Sequence, residues 1–431
     1  QLQWMMNSYT LAFATLMLPA ATLGDRLGRR RVFLTGIAVF TLASIASALS
    51  TTTSALITTR ALQGMGAAAI MPLSLTLLAA AVPERRRAMA IGVWGGVSGL
   101  GVALGPVIGG AVVDGFSWQG IFWLNVPVAM VAIPLIMRAL PESHGRRDPL
   151  DLAGLALAGT GILAAVWGIV RASDLGWTSI PVSGALLAGV TLIAAFVWHE
   201  GRTAHPMVPL RLFRSRSFSV ANVASLAFTL GMFGAVFLLA QYLQIVDGYT
   251  PLQAGIRTLP WTAAPMIVAP IAGLLAPRLG VRVLLGTGLT LQALGLGWLA
   301  LTVGASTPYT SLVPGFILAG VGMGLTFAPS ATAVLADMAP NDHATASSTN
   351  STIREIGVAL GVAVLVAVFR ANGGTLTPTG YDSGLRIAIL TGAAVLAVGA
   401  LSTMWLPRAP ARTPSRPSRP SRPSRPQSSL P

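Results

Sequence analysis

Leu23-Gly24-Asp25-Arg26-Leu27-Gly28-Arg29-Arg30-Arg31 sets five charged residues and two glycines between two long apolar runs. About 20 apolar residues in a helix cross the hydrocarbon core of a bilayer. A charged, glycine-bearing stretch between two such runs therefore reads as a tight turn at a membrane face. A related stretch returns later as Leu275-Ala276-Pro277-Arg278-Leu279-Gly280-Val281-Arg282. Pro72 and Pro83 return as Pro329 and Pro340, and Gly101-Val-Ala-Leu-Gly105 returns verbatim as Gly357-Val-Ala-Leu-Gly361. Three matches, in one order and at nearly one offset, read as two related halves in the same orientation.

The composition agrees with a lipid environment. Of 431 residues, 53% are hydrophobic and only 10% charged, with a mean hydropathy of +0.71. Soluble domains carry about 25% charged residues, and disordered chains are far less apolar. Cysteine is absent, which excludes disulfides, thiolate metal sites and cysteine nucleophiles. The four histidines (His144, His199, His205 and His343) fall in polar stretches between apolar runs, so neither a metal site nor a cofactor is expected.

Thirteen apolar runs are long enough to span: 5–23, 32–50, 56–81, 88–113, 121–140, 152–170, 181–198, 218–245, 252–276, 281–303, 312–335, 345–369 and 385–406. The net charge of +15 comes entirely from arginine, since the chain has no lysine. Twenty-two of the 28 arginines fall in alternate loops and the tail: Arg26 to Arg31, Arg85 to Arg87, Arg138 to Arg147, Arg202 to Arg216, Arg278 and Arg282, and Arg408 to Arg425. By the positive-inside rule these loops are cytoplasmic, the C-terminus is inside and Gln1 outside. The charge is thus read as topology, with no nucleic-acid partner expected. An external start to thirteen spans implies one further helix before the first run. Runs 152–170 and 181–198 have no counterpart in the repeat and read as an insertion. The expected domains are 1–140, a first helical bundle; 141–200, two inserted helices; 201–406, a second bundle; and 407–431, a disordered tail. That tail repeats Ser-Arg-Pro four times (415–426), a solvated coil prone to polyproline geometry. Parallel repeats related by an axis along the membrane normal are a transporter architecture.

These residues resemble the major facilitator superfamily, in particular its fourteen-helix drug:proton antiporter branch. Leu23 to Arg31 is similar to the family's cytoplasmic motif after the second helix, although Ala21 stands where that motif usually opens with glycine. Arg60-Ala-Leu-Gln-Gly-Met-Gly66 is similar to the fourth-helix motif. Gly101-Val-Ala-Leu-Gly-Pro-Val-Ile-Gly-Gly110 is similar to the antiporter motif of the fifth helix. Trp118 to Pro127 and Gln241 to Tyr249 resemble stretches of the fourteen-helix branch. The resemblance implies an all-α membrane protein with two pseudo-symmetric six-helix bundles plus two inserted helices. It implies alternating-access export of small lipophilic or cationic molecules in exchange for protons, from the cell membrane, by a monomer. The family's first helix, which carries an acidic residue, is not represented.

Roles follow from the residue types. Gly24, Asp25, Arg26, Gly28 and Arg29 form the cytoplasmic turn. There Asp25 is expected to accept from a helix N-terminus or from an arginine across the interface between halves. Arg30 and Arg31 read as topological charge. Arg60, with Gln63 three residues on and so on the same face, either tunes a carboxylate or snorkels at the outer helix end. Glu355, beside Arg354 near the cytoplasmic start of a late helix, is one of few acids within reach of membrane depth: a proton carrier, or the structural partner of an arginine. Gly101, Gly105, Gly109 and Gly110 make a smooth helix face for close packing, bent at Pro106. Trp94, Trp123, Phe233, Phe237, Tyr242 and Trp261 are candidate substrate contacts, as are Phe228 and Phe327. No Gly-rich, Lys-containing nucleotide motif is present, which argues against ATP-driven transport. The scattered acids argue against a membrane enzyme. An exporter dedicated to one metabolite, and a non-transporting remnant, remain the alternatives.

Overall fold

The computed structural model describes residues 2–83, 97, 100–101, 104–144, 149, 151–304, 307–339, 342–377 and 380–407. These are helices joined by short connections, with no strand among the described residues. In chain order they are α1 (Leu2–Leu27), α2 (Arg29–Ala48), α3 (Thr53–Ala81), α4 (Leu104–Gly115), α5 (Gly120–Trp123), α6 (Asn125–Ala139), α7 (Leu152–Leu175) and α8 (Ile180–Glu200). There follow α9 (Arg216–Ile245), α10 (Pro251–Arg257), α11 (Leu259–Thr262), α12 (Ala264–Leu279), α13 (Val281–Thr302), α14 (Tyr309–Leu335), α15 (His343–Ala371) and α16 (Tyr381–Ser402).

Eleven helices among the described residues are long and apolar enough to cross a membrane. α1 also forms a helix over the first expected run. Half of the run 88–113 lies outside the described residues, and its end forms α4. Two expected runs are jointed rather than continuous. Residues 252–276 divide into α10, α11 and α12, because Pro260 and Pro265 each lack the N–H that would extend the preceding helix. Residues 121–140 break at Leu124, just before Pro127, for the same reason.

The charged turn is shorter than the sequence implied. Asp25, Arg26 and Leu27 still belong to α1, and Gly28 alone separates it from α2. Gly28 has φ 110°, a backbone region that only glycine adopts without strain. Its repeat partner Gly280, with φ 82°, does the same between α12 and α13.

Packing separates into three apolar clusters. One joins Phe13, Met17, Phe33, Ile37, Leu73, Leu77 and neighbours from α1, α2, α3 and α6. A larger one draws on α9, α10, α11 and α13 through α16. A small third cluster lies where α1, α7 and α15 meet, at Leu11, Val166, Val170, Ala359 and Ala363. α7 and α8 pack mainly on each other. Lipid gives apolar side chains little reason to associate, so close backbone approach matters more. Gly36 and Gly66 allow it between α2 and α3, and Gly288 and Gly322 between α13 and α14.

Candidate functional site

The first site is the arginine-rich face of the first half. Glu142, in the connection after α6, sits on the N-terminus of α2. Its carboxylate accepts from the backbone N–H of Arg30 at 2.9 Å, Ser143 at 3.1 Å and Arg31 at 3.2 Å. Burial alone would raise its pKa. The three N–H donors and the Arg30 charge outweigh that and hold the carboxyl below its ordinary range. Among the described residues, Asp25 meets neither a helix N-terminus nor an arginine of the other half. It pairs with Arg29 of its own helical connection, Nε to Oδ1 2.7 Å. Gly28 presses against Glu142, and a Cβ there would lie 2.8 Å from the carboxyl carbon. Arg30 does more than mark topology, since its guanidinium donates to Leu140 O at 3.0 Å, at the end of α6. Arg282, its repeat partner, donates to Leu406 O at 3.5 Å, after α16. Arg26 is exposed and Gly24 is packed against Leu73.

The second site lies inside the membrane span. Arg60 on α3 is half-buried. Its Nε donates to Met5 O at 3.1 Å and its Nη1 to Gln63 Oε1 at 2.6 Å. The guanidinium lies 4.4 Å from the Tyr9 ring centroid, a cation–π contact. Gln63 passes the network on, its Nε2 donating to Ser44 Oγ at 2.8 Å, which also accepts from Asn125 Nδ2 at 3.2 Å. One arginine thus ties together α1, α2, α3 and α6. Arg60 and Gln63 share a face, and Arg60 meets polar groups of α1 and α3.

Across the α1–α15 contact stand Arg354 and Glu355. Both are half-buried, although protein surrounds them closely. Arg354 lies over the Phe327 ring at 4.6 Å. Among the described residues, Glu355 has no hydrogen bond and no ion pair. Tyr9 is within electrostatic reach of both Arg60 and Glu355. Below them, Asn350 Nδ2 donates to Asn222 Oδ1 and Ser225 Oγ, each at 3.0 Å, and Ser225 meets Ser330 at 2.8 Å, all buried.

The remaining candidates are dispersed. Trp94 lies outside the described residues. Trp123 is exposed on α5. Tyr242 and Trp261 are packing residues of the second half, with Tyr242 donating to Gly304 O at 2.8 Å and Trp261 stacked on Phe316. Phe233 and Phe237 are half-buried on α9, where Phe233 and Phe327 both meet Phe228 edge-on. Among the described residues, a Cβ on Gly101, Gly105 or Gly109 would meet nothing within 4 Å. Gly110 alone of the four abuts another backbone among the described residues, at Pro251 and Leu252, while Pro106 O faces Gly255. The verbatim second copy is packed, with Gly357 and Gly361 against Thr229 and Leu230 of α9.

Glu142, Ser44, Asn125 and Tyr9 join these sites without having stood out in the sequence. Tyr9 carried a signal, being the sole tyrosine of the first half, and Asn125 is a polar residue within an apolar run. Ser44 carried none.

Comparison with known proteins agrees with this picture. Residues 1–362 and 258–430 match the sequence profile of the Major Facilitator Superfamily. The chain is 35% identical over 417 residues to the methylenomycin A resistance protein of Streptomyces coelicolor, covering 96% of this chain and 86% of the relative. It is 37% identical over 372 residues to the multidrug resistance protein Stp of Mycobacterium tuberculosis, covering 86% and 69%. A crystal structure of a POT family transporter with a thioalcohol-conjugated peptide shares the fold, with a TM-score of 0.69 at 17% identity over 93% of this chain and 86% of that one. The chain is a multi-pass membrane protein that belongs to the Major Facilitator Superfamily.

Proposed function

We propose that this protein exports small lipophilic or cationic drug-like molecules from the cytoplasm in exchange for protons, by alternating access across the cell membrane. The names of the relatives, resistance proteins for methylenomycin A and for multiple drugs, support the substrate class. The arginine-rich loops and tail then face the cytoplasm. Residues 1–140 and 201–406 act as two bundles, with 141–200 inserted and 407–431 a tail. Two separate apolar clusters and a smaller one between them support that division.

Glu355 carries the proposal for proton coupling. A charge in mid-membrane costs about 3 kcal/mol, and this acid lies mid-helix with no hydrogen bond and no salt bridge among the described residues, within electrostatic reach of Arg354. Taking up a proton removes that cost, and releasing it to the other side completes an exchange. Arg354, the neighbouring residue, is the positive charge within electrostatic reach of Glu355, and Arg60 stands across Tyr9 from it.

Reconstituted vesicles test this. A pH gradient should drive uphill transport of a lipophilic cationic dye, and a protonophore should abolish it. Glu355→Gln should lose the gradient-driven component while retaining downhill dye exchange. Full gradient-driven transport by Glu355→Gln would remove Glu355 from the mechanism.

A further inference from the structure

Asp114, at the end of α4, lies on the arginine-poor face and belongs to the first half. Its Oδ2 accepts from the backbone N–H of Leu252, 3.1 Å away, in the first turn of α10 in the second half. That turn is otherwise self-contained. Thr250 Oγ1 accepts from Gln253 N, Gln253 Oε1 accepts from Thr250 N, and Pro251 has no N–H to satisfy. Leu252 N is the donor left over, and the acceptor it uses comes from the other half. The backbones beside this bond are in direct contact, with Gly110 against Pro251 and Leu252, and Gly255 against Pro106 and Val107.

A second tie stands on the same face. Asp174, at the end of α7, accepts from Arg370 Nη1 of α15 at 3.0 Å, and Arg171 lies 3.7 Å from the same carboxyl group. The apolar cluster of Leu11, Val166, Val170, Ala359 and Ala363 lies toward this end of its helices.

We propose that Asp114 is a positioning residue for transport: its carboxylate completes the cap of α10 only while the arginine-poor mouth is closed, so it sets how readily that mouth opens. This rests on the alternating-access reading above. Opening must pull α4 from α10 and leave Leu252 N to water. Gly110 and Gly255 keep the two backbones near enough for the bond to form.

The absence of native cysteine makes paired spin labels straightforward. Labels at Phe116→Cys and Leu376→Cys, both exposed, report the distance across this mouth in reconstituted protein. Asp114→Ala should raise the open population about two- to thirtyfold, the range of a lost helix cap. Asp114→Asn, which keeps an acceptor oxygen, should stay close to wild type. Gly255→Ala, which forces a Cβ against Pro106, should open the mouth in the same direction. Unchanged distances in Asp114→Ala and Gly255→Ala, or an Asn variant as open as the Ala variant, would overturn the proposal. Dye transport by the unsubstituted chain is measured alongside. Its failure would count against the export reading, whereas unchanged distances in a transporting protein would count against Asp114 alone.

Discussion

Removing the Glu142 carboxylate tests how the arginine-rich turn is held. In Glu142→Ala the backbone N–H groups of Arg30, Ser143 and Arg31 lose their acceptor. A lost N-terminal cap costs about 0.5–2 kcal/mol, and a hydrogen bond to a charged group contributes about 1.5–3 kcal/mol. The side chain is 20% exposed, so water replaces part of what is lost, and the net expectation is about 1–2 kcal/mol. Glu142→Gln keeps one acceptor oxygen and should lose about half of that. The folded protein favours the ionised carboxylate, because its pKa is depressed. The stabilisation is therefore complete above the ordinary glutamate range near pH ~4.3 and fades as pH falls through the lower folded value. Thermal unfolding of detergent-solubilised protein should show Glu142→Ala melting about 1–4 °C below wild type at neutral pH. The gap between wild type and Glu142→Gln should shrink on acidification. An unchanged melting temperature at neutral pH, or a gap that widens in acid, would refute the assigned role.

Gly28→Ala should destabilise by about 1–3 kcal/mol, the cost of a non-glycine residue in this backbone region. Because the new Cβ meets the Glu142 carboxyl group, adding Glu142→Ala should cost less than the sum of the two single changes, as read by a double-mutant cycle. Arg60→Lys keeps the charge but not the planar fork that reaches Met5 O and Gln63 together. Losing one charged hydrogen bond of about 1.5 kcal/mol or more predicts dye efflux at least about tenfold slower, and efflux at the wild-type rate would contradict it. Asn350→Leu leaves the buried Asn222 Oδ1 without its donor, which should cost about 1–3 kcal/mol. Adding Asn222→Leu should recover part of that loss in the same melting assay.

Much of the architecture is legible in the chain because its causes are local. Apolar length gives the helices, and the two glycines at the turns are needed by backbone geometry alone. Gly28 and Gly280 align in the repeat, and each is the single residue between two helices. Arg60 and Gln63 share a face because helical spacing puts them there. The joints in the helices follow from Pro260, Pro265 and Pro127, but apolar character runs through all three and hides the breaks.

Which acid meets which donor was not legible. Asp25 lies in the motif and Glu142 lies far along the chain, yet Glu142 takes the N-terminus of α2 and Asp25 pairs within its own turn. Both carboxylates suit both tasks chemically, so only the return of the chain after α6 separates them. The glycine motifs show the same limit. Gly101-Val-Ala-Leu-Gly105 and Gly357-Val-Ala-Leu-Gly361 are identical in sequence, yet the glycines of the second are packed on α9 and those of the first meet no neighbour among the described residues. Asp114 reads along the chain as an ordinary loop acid, and only the approach of α10 gives it a donor. Hydropathy, helical period and glycine torsions belong to single segments, so the sequence determined the membrane fold and its turns. Hydrogen bonds between distant segments depend on where helices stand relative to one another, so the surroundings of Glu142, Asp114 and Glu355 were decided by the tertiary structure alone.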